Sequence, residues 1–275
     1  MLSRVTRFVL LALLVSAFPR VVPAAPPVAQ LVIAHRGDSS HAPENTLASF
    51  DSAVTAGADW VELDVHLSRD GEAIVIHDES VDRTSSGHGK IADLTRAQIQ
   101  ALDAGSWFSP RFAGERIPTL GEVLARMKNR ARVLIELKNV HGKSEQLVRR
   151  CLVEIQRTGM STQVQFHTFF VDDLHAARLL APAINCAFLY EFGDSRHMAV
   201  LLAHRLGATG FNPRLIHTQK AVVEQAHSFK MSVWPYVADT VPDFEKAVAI
   251  GADGIITNRP ADLRAWLAHP AIPHN

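Results

Sequence analysis

Short apolar runs of strand length alternate with helix-like stretches along most of this chain, and this alternation strongly limits its possible folds. Parallel strands that are buried on both faces have continuous apolar sequences, and each needs a crossover helix to reach the next strand. The chain has eight such runs, at residues 31–34, 60–65, 133–137, 164–168, 186–189, 209–211, 232–236 and 254–257. The pattern predicts repeated strand–helix units in a parallel sheet.

Helix-like stretches accompany these runs. They lie at residues 46–56, 120–128, 144–157, 171–180, 196–206, 219–228, 242–250 and 261–267. Eight strand–helix units within about 250 residues are typical of a (β/α)8 TIM barrel, an α/β fold. No internal segment has the composition of a linker, so we expect a single barrel domain over residues 25–275.

Residues 1–24 have the layout of a secretory signal peptide. Two arginines precede an uncharged apolar run at 8–18, which is too short for a permanent membrane span, and alanines follow at 24 and 25. We expect cleavage after Ala24, a periplasmic or secreted protein and no stable membrane anchor. An uncleaved N-terminal anchor is the alternative.

The charge of the chain argues against a nucleic-acid partner. Loss of residues 1–24 removes three of the 28 basic residues and none of the 28 acidic ones, which leaves a formal charge of −3. A mildly acidic chain without a basic run is a poor nucleic-acid binder.

Only two cysteines occur, Cys151 in a helix-like stretch and Cys186 in an apolar run. We predict two buried thiols, and a disulfide is the alternative in an exported protein. The sequence has no C-x-x-C or H-E-x-x-H motif, so neither a thiolate zinc site nor a zincin is supported.

Residues suited to phosphate and metal chemistry are concentrated in one stretch. It contains H-R-G at 35–37, P-E-N-T at 43–46, E-L-D at 62–64 and H-D at 77–78. Carboxylates bind divalent cations, a guanidinium binds phosphate oxygens, and an imidazole exchanges protons near neutral pH. The stretch therefore supplies the groups that phosphoryl transfer requires.

Three acidic residues are predicted to hold one divalent cation. Glu62 and Asp64 lie on the same face at the end of the second strand, and two such carboxylates repel each other unless a cation or proton lies between them. Glu136, at the end of the next barrel strand, is the expected third ligand. Oxygen ligands favour Ca²⁺ or Mg²⁺ over zinc.

We predict that His35 and His77 form the general acid/base pair, because one imidazole can accept a proton while the other donates one. Arg36 would bind phosphate through two hydrogen bonds. Lys138 would either neutralise a phosphate oxygen or pair with Glu136. Two routes stay open, attack on phosphorus by a substrate hydroxyl and attack by water.

The dipeptide at 70–71, Asp-Gly, predicts a two-residue hairpin turn after the second strand. In that register His77 lies opposite Asp64, with Cβ atoms about 5 Å apart. We therefore expect the hairpin to return His77 to the carboxylates.

The remaining polar residues of this region receive supporting roles. Asn45 is the predicted cap of the helix that begins near Thr46, and Glu44 is predicted to help orient the site. His66 shares the face of Asp64 and is a secondary candidate. We assign no role to His88, His141, His167 and His217.

These motifs and their order resemble the signature of the glycerophosphodiester phosphodiesterase family. The likeness continues through R-T at 83–84, G-H-G at 87–89, I-P-T-L at 117–120, I-E-L-K at 135–138 and G-A-D-G-I-I-T at 251–257. The resemblance implies hydrolysis of small-molecule glycerophosphodiesters to glycerol 3-phosphate and an alcohol.

Residues 82–118 lack the rhythm of the barrel. The resemblance implies a small insertion over the barrel mouth that helps shape substrate binding, and a packed excursion without that role is the alternative.

The chain departs from the family pattern at 234–239, where W-P-Y-V-A-D replaces the common W-T-V-N, and at Asn258, where aspartate is usual. These departures leave the predicted metal and phosphate residues unchanged and bear on the specificity for the alcohol group of the substrate.

Two rival functions remain in view. A barrel phospholipase acting on lysophospholipids or related lipids would need an exposed apolar rim, for which Trp107, Phe108 and Phe112 are the visible candidates. A non-catalytic periplasmic binding barrel would have little use for two histidines and three convergent acids.

Overall fold

The computed structural model describes residues 30–138, 142–191 and 196–269. The predicted signal peptide, residues 1–24, lies outside the described residues, so cleavage and export stay predictions. Within the described part of the chain, no helix has the length and apolar character needed to cross a membrane.

Eight parallel strands form the barrel, and one short strand, β3, pairs antiparallel with β2. The strands are β1 (Leu31–Ala34), β2 (Trp60–Leu67), β3 (Ala73–Val75), β4 (Arg132–Leu137), β5 (Val164–Thr168), β6 (Cys186–Tyr190), β7 (Gly210–Pro213), β8 (Ser232–Val233) and β9 (Gly254–Thr257). Their spatial order is β8-β7-β6-β5-β4-β2-β1-β9, which matches the predicted TIM barrel.

Backbone hydrogen bonds bring the two ends of this sheet together. Asp253 N donates to Val233 O at 2.9 Å, and Ile256 N donates to Pro235 O at 3.1 Å. The predicted strand at 232–236 is regular only over Ser232–Val233, because Pro235 has no N–H for the ladder. The barrel is therefore nearly closed at this seam.

Helices cover the outside of the barrel at the predicted positions, with small shifts at their ends, and one short helix that was not predicted lies at Arg96–Gln100. They are α1 (Leu47–Thr55), α2 (Arg96–Gln100), α3 (Leu120–Met127), α4 (Ser144–Thr158), α5 (Val171–Leu180), α6 (Arg196–Arg205), α7 (Lys220–Ser228), α8 (Val241–Ala249) and α9 (Pro260–Ala268). Except for α2, whose Ile99 belongs to a separate cluster, their buried faces pack on the outward residues of the strands in the main hydrophobic core.

Inward-facing residues fill the barrel in layers. A small cluster inside it contains Ile33, Trp60, Leu134, Trp234 and Ile256, with the two indole rings 5.2 Å apart. Because side chains alternate along a strand, the next inward positions on β2, β4 and β5 are polar and lie nearer the carboxyl ends of the strands. The apolar layer thus forms the floor of a polar site.

The predicted hairpin is present, but its register was wrong by one residue. Asp64 lies opposite Ile76, whose N–H donates to Asp64 O at 3.0 Å, and not opposite His77. Ser68 and Glu72 close the turn, so it contains three residues, with Gly71 at φ +78°. The Ser68 hydroxyl accepts from Glu72 N and donates to Asp70, which favours the longer turn over the two-residue form.

Residues 82–118 form a compact excursion next to the hairpin. It contains α2 and short 3-10 turns at Ile91–Asp93 and Pro110–Phe112. A separate apolar cluster joins it to the hairpin, and its buried members are Ile74, Ile76, Val81, Ile91, Ile99, Ala104 and Ile117. The excursion is thus anchored by its own core rather than by the barrel interior.

Both cysteines are buried and carry free thiols, as predicted. Burial raises the pKa of the Cys151 thiol to about 12. A thiol in such surroundings stays protonated and packs as a small apolar side chain.

Candidate active site

A sharp turn after β1 positions the first pair of polar residues. Arg36 has φ +55° and Gly37 has φ +84°. A Cβ atom on Gly37 would lie 2.7 Å from the Ser49 Cβ, so only glycine fits this close approach to α1. The turn also directs Arg36 N–H to the Glu62 carboxylate at 2.8 Å, which joins β1 to β2 at the site.

A hydrogen bond from His35 to the Asn258 side chain orients the imidazole, and Asp239 in turn orients Asn258. Asn258 donates its Nδ2 to Asp239 Oδ2 at 2.6 Å, so its Oδ1 faces the His35 Nδ1 at 2.7 Å and must accept. His35 therefore carries its proton on Nδ1 and keeps the Nε2 lone pair free of this bond. Burial lowers the pKa of His35. The sequence marked Asn258 as a departure but gave no signal for Asp239.

His77 is oriented by its own neighbour in the chain. The Asp78 carboxylate accepts from His77 Nδ1 at 2.7 Å, and Arg83 Nε donates to the other carboxylate oxygen at 2.7 Å. Arg83 lowers the pKa of Asp78 to about 2. A permanently ionised Asp78 therefore fixes the His77 tautomer with Nδ1 protonated.

Replacing Asp78 with asparagine should lower kcat about tenfold to 100-fold, part of what a positioned acid or base contributes. Without the carboxylate the His77 imidazolium loses stabilisation, its pKa falls, and the limb of the pH–rate profile that His77 governs shifts to lower pH. Asp82→Asn is the matched control, because Asp82 contacts the exposed His88 at 3.2 Å. Unchanged kcat and an unchanged pH–rate profile in Asp78→Asn would contradict this orientation.

Glu44 connects two arginines at the edge of the site. Its carboxylate accepts from Arg36 Nη1 at 3.0 Å and from both terminal nitrogens of Arg83 at 2.8 and 2.9 Å. Glu44 therefore places the Arg36 guanidinium, in keeping with its predicted supporting role. Through Arg83 the excursion at 82–118 contacts the edge of the site. None of the described residues that line the catalytic cavity belongs to that segment.

Three acidic side chains meet on adjacent strands, because β2 and β4 pair with Asp64 opposite Glu136. Glu62 and Asp64 are fully buried, and Glu136 is nearly so. Burial and the charge of Asp64 raise the pKa of Glu62 to about 7. Burial also raises the pKa of Glu136 to about 7, with Lys138 opposing and Asp64 adding to the shift.

Asp64 differs from the two glutamates because cations already surround it. Lys138 Nζ lies 3.1 Å from Asp64 Oδ1, and Arg36 Nε lies 3.5 Å from Oδ2. Burial alone would raise the pKa of Asp64, but Lys138 and Arg36 hold it well below its ordinary value. Lys138 also pairs with Glu136 at 2.7 Å, so the predicted Lys138–Glu136 contact is present.

Asn45 was predicted to cap α1, and this prediction was wrong. Thr46 is the cap, and its hydroxyl accepts from Ser49 N. Asn45 has φ +58° and donates its Nδ2 to Asp64 Oδ2 at 2.8 Å. The left-handed backbone turns the amide away from the helix and towards the buried carboxylate.

His167 belongs to the site although sequence analysis gave it no role. It lies opposite Glu136 in the β4–β5 register, and its Nε2 is 3.3 Å from Glu62 Oε1. Burial lowers the pKa of His167 to about 4, so the ring is neutral and able to bind a metal ion. Among the described residues, ligand atoms of Glu62, Glu136 and His167 come within 4.8 Å of one another.

A cavity of about 630 Å³ contains these groups at the carboxyl ends of the strands. Both predicted acid/base histidines, the Arg36 and Lys138 cations and the Glu62–Glu136–His167 group line it. Its far wall contains Phe169, Arg214, Tyr236 and Lys246. The structure therefore brings the separate sequence motifs into one cavity.

The other histidines that the structure describes lie outside the cavity lining. His66 is buried beside the site and contacts the His77 carbonyl through Nε2 at 3.0 Å, so it supports the His77 backbone. His88 is exposed on the excursion, and His217 ends a short 3-10 turn. His141 lies outside the described residues.

The donor set fits a divalent cation. Glu62 and Glu136 are buried carboxylates whose raised pKa values show that their negative charges are incompletely neutralised by neighbouring side chains. The neutral His167 ring adds a nitrogen donor. A bound cation would supply the missing positive charge.

A sequence model of the Glycerophosphoryl diester phosphodiesterase family matches residues 35–262. The chain is 38% identical over 240 residues to a glycerophosphodiester phosphodiesterase of Caldanaerobacter subterraneus subsp. tengcongensis, covering 85% of this chain and 96% of the relative. It is 33% identical to a glycerophosphodiester phosphodiesterase of Bacillus subtilis, with 84% of each chain covered.

Solved structures give the same relationship. An Oleispira antarctica phosphodiesterase, determined in complex with the product sn-glycerol-3-phosphate, has a TM-score of 0.80 and 27% identity, covering 86% of this chain and 96% of that one. A glycerophosphodiester phosphodiesterase of Agrobacterium tumefaciens has a TM-score of 0.75 and 28% identity, covering 86% of this chain and 99% of that one.

Proposed function

This chain belongs to the glycerophosphoryl diester phosphodiesterase family, and we propose that it hydrolyses glycerophosphodiesters to glycerol 3-phosphate and an alcohol with one divalent cation. The observation that carries the proposal is one cavity lined by two oriented imidazoles, the Arg36 guanidinium and the buried carboxylates of Glu62 and Glu136. The complex of the Oleispira relative with sn-glycerol-3-phosphate supports the choice of product.

Arg36 and Lys138 would bind the phosphate oxygens of the substrate. Arg36 is held by Glu44 and Asp64, so its guanidinium is ordered before the substrate arrives, which limits the entropy lost on binding. Lys138 lies between Asp64 and Glu136. Although burial opposes it, these two carboxylates raise the pKa of Lys138, so the ammonium stays charged.

His35 and His77 would move the protons. Each has Nδ1 bonded to an oxygen acceptor, so each is oriented with Nε2 as its remaining ring nitrogen. One imidazole would take the proton of the attacking hydroxyl or water, and the other would protonate the leaving alkoxide.

Glu62 and Glu136 would hold the cation, with Asp64 and His167 beside them. The bound cation would withdraw electron density from the phosphoryl group and offset its negative charge. A ligand set that consists mainly of carboxylate oxygens favours Ca²⁺ or Mg²⁺.

Metal-free protein should leave glycerophosphocholine intact, and addition of Ca²⁺ or Mg²⁺ should start the release of glycerol 3-phosphate and choline. Both products can be followed by ³¹P and ¹H NMR. Glycerol 3-phosphate itself serves as the control substrate and should resist hydrolysis, since it is a monoester. Release of phosphocholine and glycerol would contradict the proposal, because it requires cleavage of the other phosphoester bond.

A further inference from the structure

A second cavity of about 620 Å³ opens beside the catalytic one, at the carboxyl ends of β5 and β6 and against α6. We call it the apolar groove, and its walls include Phe170, Phe188, Met198 and Leu202. Its described lining contains one ionisable carboxylate, Glu191, and no cationic side chain. The groove therefore lacks the groups that would bind a phosphate.

The apolar groove adjoins the catalytic cavity. Phe169, Leu189 and Glu191 line both spaces. At this boundary Glu191 pairs with Arg214 at 3.0 Å, so its charge is partly compensated where the two spaces meet. A molecule whose phosphate lies beside Arg36 could thus extend along Phe169 and Leu189 into the groove.

The walls of the groove leave large apolar side chains in contact with water. Met198 is 66% exposed, Leu202 is 44% exposed and Phe170 is 39% exposed. Apolar surface of this kind gains free energy when a ligand covers it. Because the groove adjoins the catalytic cavity, a chain attached to the bound substrate could cover this surface.

The aromatic residues predicted to form an apolar rim are placed differently. Trp107, Phe108 and Phe112 pack on one another with ring centroids 5.6 and 5.7 Å apart, and Trp107 Nε1 donates to Ala104 O. None of them lines the catalytic cavity or the apolar groove. The apolar surface next to the site comes instead from β5, β6 and α6.

We propose that the apolar groove binds a hydrocarbon chain carried by the glycerophosphodiester whose phosphate occupies the catalytic cavity. The inference rests on the proposed phosphodiesterase function and names its substrate class, glycerophosphodiesters that carry one hydrocarbon chain on the glycerol or on the alcohol. An acyl chain on the glycerol and an alkyl chain on the alcohol have the same chemistry, and the substrates tested distinguish them.

The test uses two series of soluble substrates below their critical micelle concentrations, with the cation present. One series is 1-acyl-glycero-3-phosphocholine with chains of two to eight carbons, and the other is glycerophospho-n-alkanol of the same lengths. We expect KM to fall about threefold per methylene in at least one series, since each buried methylene contributes a transfer free energy. The responding series identifies where the chain is attached.

A double variant, Met198→Gln with Leu202→Gln, should remove most of the chain-length dependence and leave the KM and kcat for glycerophosphocholine unchanged. Leu179→Gln is the matched control, because Leu179 is a 61% exposed leucine on α5 that does not line the groove. This control should keep the full dependence on chain length.

The outcomes separate the two proposals. KM values that do not change with chain length in both series, while glycerophosphocholine is hydrolysed, would overturn the groove proposal alone. Chain-length dependence that survives in the double variant would also overturn it. Failure to hydrolyse any member with either cation would overturn the phosphodiesterase function and this inference with it.

Discussion

Replacement of His35 or His77 with alanine is expected to lower kcat for glycerophosphocholine about 10²- to 10⁴-fold, the usual contribution of a general acid or base. Neither side chain is part of the hydrophobic core, so the thermal midpoint should change little. Circular dichroism and thermal unfolding would verify the fold. His88→Ala is the matched control, because His88 is an exposed histidine with its own aspartate partner.

An activated substrate separates the roles of the two histidines. Glycerophospho-p-nitrophenol has a leaving group that departs without a proton, so loss of the general acid should cost little with this substrate. Loss of the general base should cost as much as it does with glycerophosphocholine. We expect one variant to recover on the activated substrate and the other to stay slow. Equal recovery in both variants on the activated substrate, or a wild-type rate of either variant with glycerophosphocholine, would contradict the acid/base pair.

Much of the barrel could be predicted from the sequence because its elements depend on local patterns. The apolar runs reproduce Leu31–Ala34, Val164–Thr168 and Gly254–Thr257 without change, and the helix at Val171–Leu180 has the predicted bounds. In each case the buried face of the element is encoded by neighbouring residues. Where Pro235 interrupts the backbone ladder, the apolar pattern continues but the regular strand does not.

The hairpin register required information that the Asp-Gly pair does not contain. Both the two-residue and the three-residue turn accept glycine in a left-handed conformation. The choice depends on the Ser68 hydroxyl, which bonds Glu72 N and Asp70. A shift of one residue moved His77 out of the pairing with Asp64, and His77 enters the cavity from the segment after β3.

His167 was missed although a signal for it was present. In β5 the polar Gln165 and His167 alternate with the apolar Val164 and Phe166, which places the polar pair inside the barrel. His167 is also near the carboxyl end of its strand, where barrel enzymes place functional groups. Its contact with Glu62, which is 105 positions away in the chain, follows only from the order of the strands.

Glu136→Gln is expected to stabilise the metal-free protein while it removes metal binding and activity. The pKa of Glu136 is about 7 in the fold, above its value in an unfolded chain, so the folded state binds the extra proton. Stability is then fully present below the unfolded pKa and falls as pH rises towards 7. Glutamine is neutral at every pH, and Lys138 retains Asp64 as a partner at 3.1 Å.

The thermal midpoint of the metal-free variant should therefore exceed that of the wild type by about 3–8 °C at pH 8, from about 1–3 kcal/mol. At pH 5 this difference should nearly vanish, because Glu136 is then protonated in the folded wild type. Glu224→Gln is the control, since Glu224 is exposed on α7 and its loss should change the midpoint little at either pH.

Addition of Ca²⁺ or Mg²⁺ should reverse the order of the thermal midpoints, so that the wild type becomes more stable than Glu136→Gln. The cation binds the folded wild type and raises its midpoint by mass action, whereas Glu136→Gln lacks a charged ligand and should respond weakly. Its kcat/KM should fall about 10²- to 10³-fold, since charge stabilisation by a metal ion contributes several kcal/mol. A variant that is less stable than the wild type at pH 8 without metal, or that keeps wild-type metal affinity, would contradict this account. If the variant is less stable, Glu136 is a structural carboxylate whose ion pair with Lys138 outweighs the cost of its burial.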